Sequence, residues 1–122
     1  MGDMTVSNLK SITLFVADQD AALAFYAHKL GLTVRQDVSN GEHRWLEVVP
    51  QSAQTGVLLL RPFPGIQAGT ARGIMLAVPD VETAATELRE AGVEVSGPTQ
   101  MPWGLEATFS DPDGNGFVLS AA

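Results

Sequence analysis

The chain has 122 residues, of which 45% are hydrophobic and 17% charged, and its formal net charge is −7 at pH 7. These values are ordinary for one folded domain, and the absence of cysteine excludes disulfides, thiolate zinc sites and cysteine nucleophiles. The acidic excess disfavours nucleic acid and anionic membranes as partners, and no apolar run is long enough to cross a bilayer. We expect a cytoplasmic protein with a single domain over residues 1–122.

The first predicted element is repeated later in the chain. Residues 12–18 (ITLFVAD) match residues 74–80 (IMLAVPD) at four positions, with an offset of 62 residues. In both copies apolar residues alternate with other residues, which is typical of a half-buried strand. A duplicated unit of this kind determines the architecture of the whole chain.

A helix is expected after each of these strands. Asp18 or Asp20 can cap the first helix, and Asp80 can cap the second. Gly31 and Gly92 stand where a residue with left-handed backbone should end each helix. The two copies therefore share a strand, a helix and a glycine stop.

Three more strands complete each copy. They are predicted at about 33–38, 43–49 and 55–61, and at about 93–96, 105–110 and 115–121. The turn signals Asn40-Gly41 and Asp111-Pro112-Asp113-Gly114-Asn115 separate neighbouring strands. The chain is thus predicted to hold two tandem βαβββ units, at about 9–62 and 72–121, with a linker at about 63–71. This is an α+β fold in which a cup-shaped mixed β-sheet surrounds a central cavity.

Strand alternation predicts which side chains line that cavity. The expected lining includes Phe15, Trp45, Glu47, Leu59, Arg61, Met75, Glu106 and Val118. Trp103 lies in a segment rich in Pro and Gly, where it can act as a lid that stacks on a ligand or pack at an interface or sheet edge. Glu47 and Glu106, 59 residues apart, are expected to be related by the repeat. An apolar cavity could raise the pKa of one carboxyl, so that the pair acts as general acid and base, or the pair could bind a cationic ligand. The structural alternative is a salt bridge to Arg44, Arg61 or a neighbouring subunit.

Four motifs together resemble those of the glyoxalase, bleomycin resistance protein and extradiol dioxygenase superfamily, also called vicinal oxygen chelate (VOC) proteins. They are residues 14–18 (LFVAD), 25–26 (FY), 30–32 (LGL) and 109–115 (FSDPDGN). The resemblance covers about residues 9–120 and implies the glyoxalase/bleomycin resistance fold. Metal-using members place His, Gln or Glu on the first and last strand of each unit. The matching positions here hold Ser11, Leu59, Gly73 and Val118, so we expect no metal and no other cofactor.

The resemblance and the residues together predict a metal-independent small-molecule binding protein that sequesters a planar or cationic drug-like compound, as in antibiotic resistance. The predicted ligand-binding residues are Phe15, Trp45, Glu47, Arg61, Met75, Trp103 and Glu106. The family also implies a homodimer. The alternatives are a glyoxalase-like lyase, isomerase or dioxygenase-related enzyme acting on a small carbonyl substrate, and a structural or regulatory module without a ligand. No catalytic residue is assigned.

Overall fold

The computed structural model describes residues 5–51 and 53–122 and contains two βαβββ units in tandem. The first unit consists of β1 (Ser11–Phe15), α1 (Gln19–Leu23) with a π-helical continuation (Ala24–Lys29), β2 (Thr33–Asn40), β3 (His43–Val49) and β4 (Gly56–Leu60). The second consists of β5 (Ile74–Val78), α2 (Val81–Glu90), β6 (Ser96–Met101), β7 (Gly104–Ser110) and β8 (Gly116–Ala121). The predicted α+β class and element order are confirmed. Among the described residues, none of the helices combines the length and the apolar character needed to cross a lipid bilayer.

Each α-helix begins next to an aspartate whose side chain caps its first turn. The carboxylate of Asp18, rather than that of Asp20, caps α1 by accepting hydrogen bonds from the backbone N–H groups of Asp20 and Ala21. Asp80 caps α2 in the same way by accepting from the N–H of Glu82 at 3.0 Å. These carboxylates satisfy donors that the first turn of a helix leaves free.

The strands form two separate four-stranded sheets instead of the single cup-shaped sheet expected from the sequence. The strand orders are β1-β4-β3-β2 and β5-β8-β7-β6, and in each sheet only the first pair is parallel. The strand predicted at about 93–96 lies later in the chain, because the N–H of Val93 donates to the carbonyl of Leu88 and so closes the end of α2. The strand starts at Ser96 and extends through the segment rich in Pro and Gly as far as Met101.

The two units share one hydrophobic core. Phe25 and Tyr26, from the π-helical continuation of α1, pack against the second sheet: the Phe25 and Phe109 ring centroids are 6.3 Å apart, and those of Tyr26 and Phe117 are 5.9 Å apart. The buried cluster also includes Leu14 of β1 and residues of α2. The helix-facing sides of both sheets are therefore buried together, and their other sides face away from this core.

A hydrogen-bonded group, the Asp111 network (Tyr26, Asp111 and Asn115), ties the two units together. The Tyr26 hydroxyl donates to Asp111 Oδ2 at 2.7 Å, and Asn115 Nδ2 donates both to Asp111 Oδ2 and to the carbonyl of Phe15. Burial, reinforced by the hydrogen bond to Asp111, raises the pKa of the Tyr26 phenol far above its usual value. The phenol therefore remains a hydrogen-bond donor, and the turn before β8 stays joined to β1 and to the π-helical continuation of α1.

Candidate functional site

The sheet surfaces that point away from the shared core form the candidate site, and we call them open face 1 and open face 2. Residues that pair directly across strands share a face. In the first sheet Thr13 pairs with Leu58, which pairs with Glu47, and Val38 pairs with Trp45. Open face 1 thus comprises Thr13, Phe15, Val38, Trp45, Glu47, Leu58 and Leu60. Open face 2 comprises Met75, Glu106, Thr108, Ser110, Gly116, Val118 and Ser120.

The expected position of Leu59 in the cavity is wrong. Leu59 pairs with Leu14, is 0% exposed and belongs to the core. All five residues of β4 are buried, and four of them are aliphatic, so the strand has no polar alternation that would identify its faces. The pairing of β4 with β1 and β3 determines its orientation, and it places Leu58 and Leu60 on open face 1.

The residues at the four family positions do not fit a divalent metal ion. With the pairing of β4 corrected, these positions hold Ser11, Leu58, Gly73 and Val118. Only the Ser11 hydroxyl offers a side-chain oxygen, and alkyl groups donate no electron pair to a metal. Residues 5–51 and 53–122 contain no group of three or more His, Cys, Asp or Glu side chains able to hold a metal ion.

Glu47 is a buried anion held by Arg35. Arg35 Nε donates to Glu47 Oε1 at 2.9 Å and Nη2 donates to Oε2 at 2.7 Å, while Gln36 Nε2 donates to Oε1 at 2.7 Å. The hydrogen bonds from Arg35 are the main cause that lowers the pKa of Glu47 below its usual value. The expectation that the cavity would raise a carboxyl pKa is therefore wrong for this residue, which is unsuited to donate a proton at neutral pH.

Sequence reasoning missed Arg35 and named Arg44 or Arg61 as the partner of Glu47. Arg44 instead pairs with Asp20 and Asp37. A β-bulge between Val34 and Gln36 lets Arg35 reach Glu47 from the neighbouring strand. The available signal was Gly56 at the start of an otherwise aliphatic strand. A β-carbon at Gly56 would collide with both the Glu47 carboxylate and the Arg35 guanidinium, so any larger residue would displace the ion pair from this position.

Glu47 and Glu106 are not related by the repeat. Glu47 pairs with Leu58, and the equivalent pair in the second sheet is Thr108 with Val118. Glu106 lies on the other sheet, where its Oε2 accepts a hydrogen bond from Trp103 Nε1 at 2.9 Å. Trp103 is 70% exposed in the turn between β6 and β7. The two carboxylates therefore do not form an acid–base pair within one chain.

A cleft of about 390 Å³, the aromatic cleft, lies beside the hairpin of β2 and β3. Its walls include Val38, Trp45, Leu60, Arg61 and Phe63. The structure thus brings together two of the predicted site residues, Trp45 and Arg61, and adds Phe63 from the segment expected to be a linker. Phe63 packs edge-on against Phe15 with ring centroids 5.7 Å apart. The other predicted apolar contacts, Met75 and Trp103, belong to the second unit.

Several solved structures are similar to this chain in both fold and sequence. TnmS3, an antibiotic binding protein from Streptomyces sp. CB03234, superposes with a TM-score of 0.92 and 38% identity, covering 98% of each chain. A superfamily member from Sphaerobacter thermophilus DSM 20745 superposes with a TM-score of 0.90 and 38% identity, covering 98% of this chain and 100% of the other.

Relatives from Bacillus subtilis (strain 168) match along most of the chain. YetH is 31% identical over 120 residues, covering 93% of this chain and 98% of YetH, and YurT is 35% identical over 114 residues, covering 84% and 90%. Both relatives are uncharacterized proteins. A family profile matches residues 8–119, and the chain therefore belongs to the Glyoxalase/Bleomycin resistance protein/Dioxygenase superfamily.

Proposed function

We propose that the protein binds a planar, drug-like organic molecule without using a metal ion. The observation that supports this most is the aromatic cleft, where Trp45 is 47% exposed beside Val38 and Phe63, which are also exposed. Large apolar side chains gathered on one surface mark a contact site, and aromatic side chains offer flat surfaces for stacking. Similarity to TnmS3, described as an antibiotic binding protein, supports an antibiotic or a related compound as the ligand class.

Binding is favoured over catalysis by the chemistry of the open faces. Three of the four family metal positions have no side-chain oxygen or nitrogen, and the carboxylate of Glu47 is engaged by Arg35 and Gln36. Glu47 acts in this proposal by holding Arg35 in place. The sequence-based expectation of a cationic ligand required both Glu47 and Glu106 to be available for charge pairing. Because Glu47 is already paired with Arg35, the proposal specifies a planar ligand but no positive charge on it. Phe15, Trp45 and Arg61 contact the ligand from open face 1 and its border.

A second chain completes the site in this proposal. Open face 2 supplies Met75, which is 57% exposed, together with Glu106 and Trp103 at its edge, but the shared core separates it from open face 1. We propose a homodimer in which open face 1 of one chain covers open face 2 of its partner, since exposed apolar strand faces favour burial. The ligand then lies between the two sheets.

The mass of the particle in solution tests the dimer. Light scattering should give twice the chain mass for the wild type, and Met75→Glu should shift the protein toward the monomer because it places a charge in the buried interface. Thr86→Glu, on the exposed side of α2, is the matched control and should remain a dimer. A monomeric wild type at about 100 μM would contradict the dimer, because a dimer with an interface of standard size has a dissociation constant far below this concentration.

Calorimetric titration with a panel of planar polycyclic antibiotics tests the binding function. Trp45→Ala should weaken the affinity for a bound compound by about tenfold, because it removes an aromatic stacking surface worth about 1–1.5 kcal/mol. Trp45→Phe keeps a ring in the aromatic cleft and should retain most of the affinity.

Two results would contradict the binding function. One is identical affinity of Trp45→Ala and the wild type for every compound that binds. The other is turnover of a small carbonyl compound that depends on a stoichiometric, stabilising divalent metal, which would support the glyoxalase-like enzyme instead.

A further inference from the structure

A second cavity, with a volume of about 620 Å³, opens where β7 ends and β8 begins. We call it the polar cleft, and its polar lining includes Lys29, Arg72, Ser96, Thr108 and Ser110. The cross-strand pairs of Thr108 with Ser96 and Val118, and of Ser110 with Gly116, place these hydroxyls on open face 2. The polar cleft is thus adjacent to the proposed ligand site but differs from the aromatic cleft in chemistry.

The guanidinium of Arg72 is held in one orientation by backbone carbonyls. Its Nη1 donates to the carbonyl of Gly69 at 2.8 Å, of Ala71 at 2.7 Å and of Gly114 at 2.8 Å. The side chain crosses Gly116, where an added β-carbon would lie only 3.3 Å from Arg72 Cδ. An arginine fixed in this way loses little further entropy when it binds a ligand.

The positive charge of Arg72 is not neutralised by a carboxylate. In the part of the chain that the structure describes, Arg72 forms no ion pair, and its Nε and Nη2 make no hydrogen bond. Two donors of a fork suited to carboxylates thus remain available. Two acids line the cleft, and neither forms an ion pair with Arg72. Asp111 is buried and already accepts hydrogen bonds from Tyr26, Asn115 and backbone groups, and Glu94 is exposed to solvent.

Arg72 in the second unit and Arg35 in the first unit occupy similar places but differ in whether a carboxylate balances their charge. Gly56 at the start of β4 corresponds to Gly116 at the start of β8, and an arginine lies across each glycine. In the first unit that arginine is Arg35, and Glu47 compensates its charge. The second unit has Thr108 at the position equivalent to Glu47. Of the two arginines that lie across these glycines, Arg72 alone is left without an acidic partner within residues 5–51 and 53–122.

We infer that the polar cleft binds the carboxylate of an aromatic ligand, with Arg72 as the anchoring group. The hydroxyls of Thr108 and Ser110 can donate further hydrogen bonds to the same anion, and Lys29 adds a positive charge on the far side, where a β-carbon at Gly92 would lie 3.9 Å from its Nζ. Val118 provides the apolar continuation toward Met75, with which it pairs. This inference rests on the proposed function, because it specifies the charge carried by the planar ligand.

The test compares 2-naphthoate with 2-naphthamide, which have nearly the same shape but differ in charge. The wild type should bind 2-naphthoate about tenfold more tightly, as expected for a charge-assisted hydrogen bond to a partly exposed arginine. In ¹⁵N–¹H spectra 2-naphthoate should shift the backbone amides of Gly73, Ser110 and Gly116. Raising the salt concentration to about 0.5 M should reduce the preference, because salt screens exposed charges.

Two variants separate a specific anchor from a general effect of charge. Arg72→Gln should abolish the preference for 2-naphthoate over 2-naphthamide, because glutamine carries no positive charge to pair with the carboxylate. Lys10→Gln removes the same charge from the first unit and should keep the preference. The dispersion of the amide spectrum shows that each variant is folded, and the salt dependence of the wild type provides a test that needs no variant.

Each remaining outcome counts against the inference. Equal affinity of the wild type for both probes, an unchanged preference in Arg72→Gln, or equal shifts caused by acetate would overturn it while leaving the planar-ligand function intact. Shifts restricted to the first unit would overturn it as well. If neither the naphthyl probes at about 1 mM nor the antibiotic panel binds, both the inference and the proposed function fail.

Discussion

Replacement of Asp111 with alanine is expected to lower the free energy of unfolding by about 3–5 kcal/mol. The carboxylate is buried and accepts hydrogen bonds from the Tyr26 hydroxyl, from Asn115 Nδ2 and from the backbone N–H groups of Asp113, Gly114 and Asn115. Alanine leaves the Tyr26 hydroxyl and the N–H groups of Asp113 and Asn115 without this acceptor, which costs more than the net value of the bonds themselves. Urea denaturation followed by circular dichroism measures the change.

Graded variants test whether the Asp111 network acts as one unit. Tyr26→Phe removes a single hydrogen bond and should cost about 1 kcal/mol. Asp111→Asn keeps the shape but presents an amide N–H₂ toward other donors, so its cost should fall between those of Tyr26→Phe and Asp111→Ala. A cost below about 1 kcal/mol for Asp111→Ala would show that water replaces the carboxylate, and the network would then not join the two units.

Leu59→Ala is expected to lower the free energy of unfolding by about 3 kcal/mol, because it leaves a cavity in the shared core. The matched control is Met75→Ala on open face 2, where the side chain is 57% exposed and the cost should stay below about 1 kcal/mol. Thermal or urea unfolding at a protein concentration low enough to keep the variants monomeric measures both. Equal costs would contradict the placement of Leu59 on the core side of β4.

Both open faces have an arginine near the place where related enzymes position metal ligands, yet the two arginines differ in charge balance. Arg35 forms a bidentate pair with Glu47, so this part of open face 1 is close to neutral. Within the described part of the chain Arg72 hydrogen-bonds only to carbonyls, so open face 2 retains a positive group in a chain of net charge −7. In the proposed dimer the aromatic cleft would bind the flat part of a ligand, and Arg72 would bind its anionic end.

The sequence by itself determined the features that depend on neighbouring residues. The repeat, the caps at Asp18 and Asp80, the glycine ends of the helices and the alternation in β1 and β5 all follow from local backbone preferences and strand periodicity. These features were sufficient for the fold class, the order of the elements and the family. The motif at residues 109–115 was recognised as a turn, although its carboxylate also joins the units.

Only the tertiary structure decided the orientation of β4, the partner of Glu47 and the placement of the two arginines. In β4 the aliphatic residues are uniformly buried, so the hydrophobic pattern contains no information about its faces and cross-strand pairing decides them. Arg35 reaches Glu47 through a β-bulge, and Arg72 is held by carbonyls of Gly69 and Gly114, which lie on different segments. Contacts of this kind depend on how distant segments pack, and a local sequence pattern cannot specify that packing.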